Sequence, residues 1–364
     1  MAGKIIIAGG GTGGHIFPAI AIANELKRKR SDLEILFIGA KGKMEMEKVP
    51  QAGYRIEGLD IAGFNRSSLI KNIGLPFKLV KSFLKVNEIL KREKPDAVIG
   101  VGGYSSFPVL KAAQAKGIPT FIHESNSFAG KSNMWLAKRA TKIFTGTKGM
   151  EKFFPESKIL VTGNPVRKVI ANTSVTREEG LAAFNLDASK KTVLVVGGSQ
   201  GAKTINEAID KGLEQILGAG LQLIWQTGKP YAAKAKERAG GKGSVWVNEF
   251  ITNMENAYAA ADIVVARSGA MTVAELCVAK KPVLFVPYPF AAEDHQTVNA
   301  KQLVEQQAAL MIPDGEAATK LVNELVTLAG DESRQAELRF NIAKLGVLNA
   351  DEVIADEILR VIEH

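Results

Sequence analysis

The sequence predicts an α/β protein made of two doubly wound, parallel-sheet domains. Its 364 residues are more than one ordinary domain holds and suit two. Short apolar strands are followed by a glycine-rich turn and then by a helical pattern, and this unit occurs in both halves of the chain. Its clearest instances begin at Ile5, Asp96, Thr192 and Ala261. We therefore expect parallel strands whose carboxyl ends carry glycine loops.

Composition excludes several classes of protein. An apolar content of 46% and a charged content of 23% are typical of a soluble globular chain. The single cysteine, Cys277, excludes an internal disulfide and a cysteine-rich metal site, and it favours a reducing compartment. The chain enters its first strand at once and has no apolar run of membrane-spanning length, so we expect neither a signal peptide nor a transmembrane helix.

The net charge of +9 suits anionic partners such as phosphorylated substrates or anionic lipid. The charge is spread along the chain and aromatic residues are few, so the sequence does not favour nucleic acid.

The first unit carries the strongest pattern. Ile5–Ile7 reads as a buried strand, a glycine-rich run follows, and a helix is expected over Ala19–Lys29. Glycines let the backbone approach a ligand closely, and the helix start behind them offers N–H groups to an anion. His15 lies at the mouth of this loop and is one of four histidines in the chain.

A dinucleotide site is the natural rival for this loop, because Gly9, Gly11 and Gly14 fit G-x-G-x-x-G. That site needs an acidic residue at the end of the second strand. The second strand ends in Gly-Ala-Lys, and Glu34 stands at its beginning instead. The sequence therefore disfavours NAD or FAD.

Lys71–Arg92 predicts an amphipathic helix with interleaved lysines. Considered alone, it is better explained as a core-facing helix with a solvated lysine face. The alternative is an interfacial helix on anionic lipid.

Three later stretches of the first half could face a ligand. Gly102 and Gly103 form a second glycine loop, after which a helix is expected from Pro108. Asn126 follows a strand at the end where open α/β sheets bind ligands, although a plain loop asparagine is an equal alternative. Pro165 ends the next pattern, and we expect a charged, low-order interdomain hinge up to Lys191.

The second half repeats the scheme. Gly197–Gly201 is another glycine loop, in which Ser199 and nearby amides suit a diphosphate. The strand after Ala261 ends in Arg-Ser-Gly-Ala, and a helix is expected to open at Thr272. Glu275 lies one turn into this helix, where its carboxylate would accept both hydroxyls of a ribose. The alternative is that its negative charge only stabilises the N-terminus of the helix. Glu293–His295 has no matching ligand set elsewhere, so we expect no metal.

Together these stretches resemble the MurG family of peptidoglycan glycosyltransferases over nearly the whole chain. The motifs that carry the resemblance are Gly9-Gly10-Gly11-Thr12-Gly13-Gly14-His15, Gly102-Gly103-Tyr104, His123-Glu124-x-Asn126, Gly163-Asn164-Pro165-Val166-Arg167, Gly197-Gly198-Ser199-Gln200-Gly201 and Arg267-Ser268-Gly269-Ala270-x-Thr272-Val273-x-Glu275. The resemblance implies a GT-B fold, two Rossmann-like domains with a cleft between them. Residues 1–164 would form an acceptor- and membrane-binding domain, rejoined by a helix at about 342–364, and 165–341 would bind the UDP-sugar.

The same resemblance implies the activity. It would be an inverting transfer of N-acetylglucosamine from UDP-N-acetylglucosamine (UDP-GlcNAc) to the 4-hydroxyl of undecaprenyl-pyrophosphoryl-muramoyl-pentapeptide (lipid I), which gives lipid II. The enzyme would need no cofactor and would act at an anionic membrane surface, peripherally on the cytoplasmic face of the bacterial plasma membrane. His15 is the expected general base, with His123 or Glu124 as the substitute.

The remaining site residues follow from the resemblance in two groups. The donor site would comprise Thr12, Gly13, Gly14, Asn126, Arg167, Ser199, Ile251, Ala270, Met271, Thr272, Val273, Ala274, Glu275 and Gln296. Because the acceptor is a lipid, the interpretation of Lys71–Arg92 as an interfacial helix gains weight over that of a core-facing helix. The expected membrane contacts are Leu75, Phe77, Leu79 and Phe83.

Two other functions remain open at this point. A UDP-GlcNAc 2-epimerase would share the two-domain fold, but its chemistry needs several acid–base side chains around the sugar, and few are present. A non-catalytic module that binds a nucleotide-sugar or a lipid is the second alternative.

Overall fold

A computed structural model describes residues 3–61, 75–198 and 200–363 of the chain. The chain divides into two compact units. Unit 1 is Met1–Arg167 with Asn349–His364, and unit 2 is Lys168–Leu348. The first boundary thus falls a few residues after the expected one, which leaves Arg167 in unit 1. Lys71 of the lysine-rich helix and Ser199 of the second glycine loop lie outside the described residues.

The sheet of unit 1 has seven parallel strands over its described residues, in the order β3-β2-β1-β4-β5-β6-β7. The strands are β1 (Lys4–Ala8), β2 (Glu34–Ala40), β3 (Arg55–Leu59), β4 (Ala97–Gly100), β5 (Thr120–Glu124), β6 (Lys142–Thr145) and β7 (Ile159–Val161). The helices are α1 (Gly13–Lys29), α2 (Glu45–Gln51), α3 (Leu75–Glu93), α4 (Ser106–Ala115) and α5 (Lys131–Ala137). Strand order reverses direction between β1 and β4, where open sheets bind their ligands.

The β-branched run at the start of the chain becomes the centre of this sheet. Ile6 pairs in register with Leu36 of β2 and with Val98 of β4. Ile5, Ile6 and Ile7 are at most 1% exposed, because β1 has a strand on each side and apolar helices cover both faces. Continuous apolar strands are what a parallel sheet with both faces covered requires.

Two helices of unit 1 begin earlier than the sequence indicated. Helix α1 begins at Gly13 rather than Ala19, with Thr12 as its N-cap, so His15 lies in its first turn. Pro18 is inside the helix, where it forgoes one backbone hydrogen bond. Helix α4 begins at Ser106 rather than Pro108. In both cases, residues expected to form the turn make the first helical turn instead.

A C-terminal helix, α15, completes unit 1. After unit 2, the chain returns as α15 (Ala350–Ile362), whose start lies beyond the expected 342 because the preceding helix ends at Ala343. Ile354 and Ile358 of α15 are fully buried in one core cluster with Ile22 and Leu26 of α1. The last segment therefore supplies part of the core of the first unit.

Unit 2 holds a second parallel sheet, with six strands over its described residues in the order β10-β9-β8-β11-β12-β13. These are β8 (Thr192–Val196), β9 (Gln222–Gln226), β10 (Val245–Asn248), β11 (Ile263–Ala266), β12 (Val283–Phe285) and β13 (Leu310–Met311). Its helices are α6 (Lys168–Ala171), α7 (Arg177–Ala182), α8 (Lys203–Gly218), α9 (Ala232–Ala239), α10 (Met254–Ala260), α11 (Ala270–Ala279), α12 (His295–Val304), α13 (Ala317–Gly330) and α14 (Glu332–Ala343). Here strand order reverses between β8 and β11.

The prediction of a low-order hinge between Pro165 and Lys191 is wrong. The stretch contains α6 and α7, and Thr176 and Glu179 form a capping box at the start of α7. Leu181 is 1% exposed and Phe184 stacks edge-on against Trp246 at 4.9 Å between ring centroids. Burial of these apolar side chains orders a segment whose charges suggested a linker.

The predicted fold class is confirmed, because each unit is a doubly wound sheet of parallel strands.

One helix of unit 2 also begins earlier than the sequence indicated. Helix α11 begins at Ala270, with Gly269 as its N-cap, rather than at Thr272. Within the described part of the chain, no helix combines the length and the apolar composition that crossing a bilayer requires.

Candidate active site

The two glycine loops of unit 1 interlock where the strand order reverses. Gly10 donates its N–H to the carbonyl of Gly102 at 3.2 Å. Gly103 has φ +86°, and a Cβ built on it would lie 2.3 Å from the carbonyl oxygen of Gly10. Only glycine fits such a close approach of two backbones. The loops that follow β1 and β4 therefore form one rigid structure.

The ring of His15 is held against these loops by Gly10 and Gly102. Its Nδ1 lies 3.0 Å from the carbonyl oxygen of Gly10. A carbonyl only accepts hydrogen bonds, so in the neutral ring Nδ1 carries the proton and Nε2 is the acceptor nitrogen. A Cβ on Gly102 would lie 2.7 Å from both Cδ2 and Nε2 of the ring, so the imidazole packs against that glycine.

Glu124, the last residue of β5, is 5% exposed and saturated with hydrogen bonds. Its Oε1 accepts the backbone N–H of Asn126 at 3.2 Å and the side-chain amide of Asn126 at 3.4 Å. Its Oε2 accepts the N–H of Gly130 at 3.0 Å and Nδ2 of Asn133 at 2.9 Å. The carboxylate thus organises the loop after β5, and with it the half-buried Asn126.

His123 is 1% exposed and packs beneath this edge of the sheet. Burial, together with the nearby charge of His15, lowers the pKa of His123 to about 4. The ring is therefore neutral at physiological pH.

The other predicted donor residues of unit 1 lie at the start of α1 and at the end of the unit. Thr12 is the N-cap of α1, and Gly13 and Gly14 are its first residues, so their amides belong to the positive end of the helix dipole. The guanidinium of Arg167 lies 4.9 Å from the ring centroid of Phe17, on the first turns of the same helix.

In unit 2 the predicted residues gather at the loops after β11 and β12. Ser268, in the turn after β11, donates its hydroxyl to the carbonyl of Gln296 at 2.8 Å, and its own carbonyl accepts Nδ2 of Asn299 at 3.1 Å. Oε1 of Gln296 accepts the N–H of Tyr288 at 3.0 Å. The turn after β11 and the first turn of α12 are thereby fixed to one another.

Helix α11 presents its N-terminus at this edge of the sheet. Ala270, Thr272, Val273 and Ala274 are half-buried, whereas Met271 and Glu275 are 8% exposed. Oε2 of Glu275 accepts the hydroxyl of Tyr258 at 3.0 Å. Ile251, which follows β10, is 3% exposed. Ser199 lies outside the described residues, so its predicted role is not placed.

Arg267, which the sequence analysis left without a role, is the anchor of these loops. Its Nη1 donates to the carbonyls of Val286 (2.9 Å) and Pro287 (3.1 Å) and to Asp314, and its Nη2 donates to Thr204 at 3.0 Å. Because Asp314 lies far along the chain, nothing local in the sequence points to this network.

Sequence reasoning also missed Glu45 and Tyr258. Tyr258 stands at no recognised motif, and its partner Glu275 is on another helix. Glu45 stands in a Met-Glu-Met-Glu string that is typical of a solvated helix, yet it is 1% exposed. Among residues 3–61, 75–198 and 200–363, no group of three or more His, Cys, Asp or Glu side chains is placed to hold a metal ion.

Comparison with known proteins identifies the family. Residues 5–145 match the glycosyltransferase family 28 N-terminal domain, and residues 192–354 match the glycosyltransferase family 28 C-terminal domain. A protein of Phocaeicola vulgatus is 50% identical over 98% of this chain and 96% of its own length. It bears the name UDP-N-acetylglucosamine--N-acetylmuramyl-(pentapeptide) pyrophosphoryl-undecaprenol N-acetylglucosamine transferase.

Solved structures agree. The crystal structure of Acinetobacter baumannii MurG is 29% identical, with a TM-score of 0.78 over 98% of this chain and 99% of that one. A UDP-N-acetylglucosamine 2-epimerase matches at 17% identity with a TM-score of 0.66, over 99% of this chain and 96% of its own, which shows a shared fold alone. The resemblance to MurG is confirmed. With both domain matches and a relative at 50% identity, the chain belongs to glycosyltransferase family 28.

Proposed function

We propose that this protein transfers N-acetylglucosamine from UDP-GlcNAc to the muramoyl sugar of lipid I, giving lipid II. Near-full-length identity of 50% to a transferase of that name supports the substrates. The observation in the site that carries the proposal is the imidazole of His15, held by the Gly10 carbonyl with Nε2 as its acceptor nitrogen. It lies at the strand reversal of unit 1, where a bound acceptor is expected.

His15 is the general base of the proposed reaction. Nε2 takes the proton of the acceptor 4-hydroxyl as that oxygen forms a bond to C1 of N-acetylglucosamine. The bond from C1 to the β-phosphate oxygen breaks, and its electron pair leaves with UDP. A single displacement turns the α-linked donor into a β-linked product. The Gly10 carbonyl then stabilises the imidazolium through Nδ1–H.

Glu124 is better suited to positioning than to catalysis. A carboxylate that already accepts four hydrogen bonds has its lone pairs directed to the loop after β5. We assign it the placement of Asn126 toward the donor sugar. His123 is buried and therefore a poor substitute for His15 as a base that must meet the acceptor.

Unit 2 supplies the donor site in this proposal. The N-terminus of α11 faces the diphosphate and stabilises the charge that develops on departing UDP. Glu275 accepts the ribose hydroxyls while Tyr258 holds its other oxygen. Gln296 contacts the sugar from the first turn of α12. For Arg167 and for Thr12 through Gly14, which belong to unit 1, contact with the donor stays a prediction.

Release of UDP with and without a lipid I analogue tests the proposal. We expect release to require the analogue, and replacement of His15 by alanine to lower turnover at least about 100-fold while UDP affinity changes little. Wild-type turnover in that variant would remove His15 from the mechanism. Incubation with UDP-GlcNAc alone separates the alternatives, since an epimerase converts it unaided. UDP binding without turnover of any acceptor would identify a binding module.

We also propose that α3 docks unit 1 on an anionic membrane surface, on the cytoplasmic face where lipid I is supplied. Phe77, Val80 and Leu84 are 79%, 60% and 68% exposed and recur at helical spacing, with the exposed Lys81 among them. Trp135, which is 79% exposed, belongs to the same surface. Its ring lies 6.3 Å from that of Phe107, and Phe107 in turn packs against Phe83 of α3. The membrane contact proposed from these exposed residues therefore differs from the one expected from the sequence, and only Phe77 is common to both.

Three of the four residues first expected at the membrane are partly covered. Leu75 and Leu79 are half-buried, and Phe83 packs edge-on against Phe107 at 6.4 Å between centroids. Phe77 alone of that group is largely exposed. We therefore place Phe77, Val80 and Leu84 in contact with lipid and assign Phe83 to their support.

Flotation with vesicles tests this surface. Phe77→Asp should reduce flotation with vesicles that contain anionic lipid, because it places a charge in an apolar contact. Phe290→Asp is the matched control, since Phe290 is 80% exposed but lies in unit 2. Equal flotation of the wild type and of Phe77→Asp would contradict the proposal, as would an equal loss in the control.

A further inference from the structure

The first glycine loop of unit 1 is tied to the end of β2 by one buried carboxylate. Glu45, the first residue of α2, is 1% exposed. Its Oε2 accepts the N–H of Gly11 at 2.8 Å, and its Oε1 accepts the N–H of Ala40 at 2.9 Å. Hydrogen bonds from backbone N–H to an ionised carboxylate are stronger than those between neutral groups.

The same carboxylate packs against the peptide that orients His15. A Cβ on Gly10 would lie 2.3 Å from Cδ of Glu45, so the two residues are in direct contact. Gly10 also donates its N–H to Gly102 at 3.2 Å. Its carbonyl, which meets Nδ1 of His15, is therefore fixed by Glu45 on one side and by the β4 loop on the other.

We propose that Glu45 is a positioning residue for the transfer reaction and acts through the tautomer of His15. By holding Gly11 and Gly10, it keeps the Gly10 carbonyl directed at Nδ1, and this interaction keeps the ring proton there. Nε2 is then the ring nitrogen without a proton, the one that can accept a proton from the substrate. If that carbonyl turns, the ring populates the tautomer with the proton on Nε2, which cannot accept another. The proposal rests on the role of His15 as the general base.

Glu45→Gln is the informative substitution. It keeps the size of the side chain but replaces one accepting oxygen with an NH2 group that faces a backbone N–H. We expect turnover to fall about 10- to 100-fold, the cost of a small displacement of a catalytic group, while KM for UDP-GlcNAc stays nearly constant. Glu47→Gln is the matched control: it lies on the same helix, is exposed, and has described bonds to Lys48 and Gln51.

Nuclear magnetic resonance of ¹⁵N-labelled histidine gives a readout that a purely structural role would not change. The chain has only four histidines, so the signals of His15 can be assigned with its alanine variant. We expect the wild type and Glu47→Gln to carry the proton on Nδ1 and Glu45→Gln to show a mixture of tautomers. In a His15→Gln background, Glu45→Gln should cause no further loss of turnover.

Several results would overturn the inference. A wild-type spectrum with the proton on Nε2 would do so without any variant, and so would a folded Glu45→Gln with an unchanged tautomer or unchanged turnover. If Glu45→Gln does not fold, Glu45→Asp replaces it, because the shorter carboxylate keeps the charge but cannot reach both N–H groups. Full turnover of His15→Gln would instead refute the proposed base, while the tautomer measurement still decides the link to Glu45.

Discussion

The contact between Gly102 and His15 gives the sharpest prediction. Gly102 has φ +95°, and a Cβ there would lie 2.7 Å from Cδ2 and Nε2 of the imidazole. An alanine at 102 therefore has two separable effects. The positive φ costs about 1–2 kcal/mol of stability. In addition, His15 must move by about 0.7 Å to restore ordinary contact, which lies near 3.4 Å.

The movement of the ring, rather than the backbone strain, should determine the activity. A displacement of this size at the reacting group is expected to lower turnover by about 10- to 100-fold, or about 1.4–2.7 kcal/mol in the activation free energy. Binding of UDP should be unchanged, because the donor diphosphate is assigned to other groups. The assay is UDP release with a lipid I analogue, alongside a titration of UDP and a measurement of the free energy of unfolding.

Gly117→Ala is the matched control for this experiment. Gly117 has φ +73° in the turn after α4, and no described atom lies within 4 Å of a Cβ built there. It should lose similar stability and keep its turnover. Wild-type turnover in Gly102→Ala, or an equal loss in Gly117→Ala, would refute the reasoning that places His15 against Gly102 as the base.

Three further predictions concern buried and half-buried groups. Tyr258→Phe removes the donor to Glu275 and should raise KM for UDP-GlcNAc about 5-fold, the equivalent of about 1 kcal/mol, without lowering kcat; an unchanged KM would contradict the role of Glu275. Asp262→Ala removes the acceptor of the Arg177 guanidinium (3.1 Å) and of the Thr192 N–H (2.8 Å), and it should lower the free energy of unfolding of unit 2 by about 1–3 kcal/mol in urea; a loss under about 0.5 kcal/mol would contradict this. The pKa of His123 is lowered to about 4 in the folded protein, so the unfolded chain takes up this proton first as pH falls. The free energy of unfolding should therefore be unaffected by His123 above about pH 6.5 and should fall by about 3 kcal/mol as pH falls toward 4. His123→Gln should remove this pH dependence. Parallel profiles of wild type and variant would show that burial of His123 is not the cause.

The order of strands and loops was readable because the sequence pattern is repetitive and local. A β-branched run such as Ile5–Ile7 is compatible with few structures other than a buried strand, and a glycine turn behind it marks its carboxyl end. Helix starts were predicted less well. Gly13 and Ala270 begin helices, although glycine-rich sequence favours a turn, because packing on the sheet decides how far a helix extends toward the ligand edge.

Residues that act through distant partners were not readable. Glu45 meets Gly11, which precedes it by 34 positions, and Arg267 meets Asp314, which follows by 47. Both are charged side chains, for which a solvated position is the ordinary expectation. The capping box of Thr176 and Glu179, by contrast, was present in the sequence as Thr-x-x-Glu and correctly marks the start of a helix in the supposed hinge.

The glycines of unit 1 show why a glycine-rich loop is an ambiguous sign of a ligand. Gly9 approaches Val101, Gly10 approaches Glu45, and Gly103 approaches Gly10, each within 2.4 Å of where a Cβ would stand. These three glycines are required by the protein's own packing, whether or not an anion binds. Gly11 differs, since no described atom lies within 4 Å of its Cβ position, but its N–H is already bound to Glu45. The amides that begin α1, rather than the glycines before them, are therefore the part of this loop best placed to meet a phosphate.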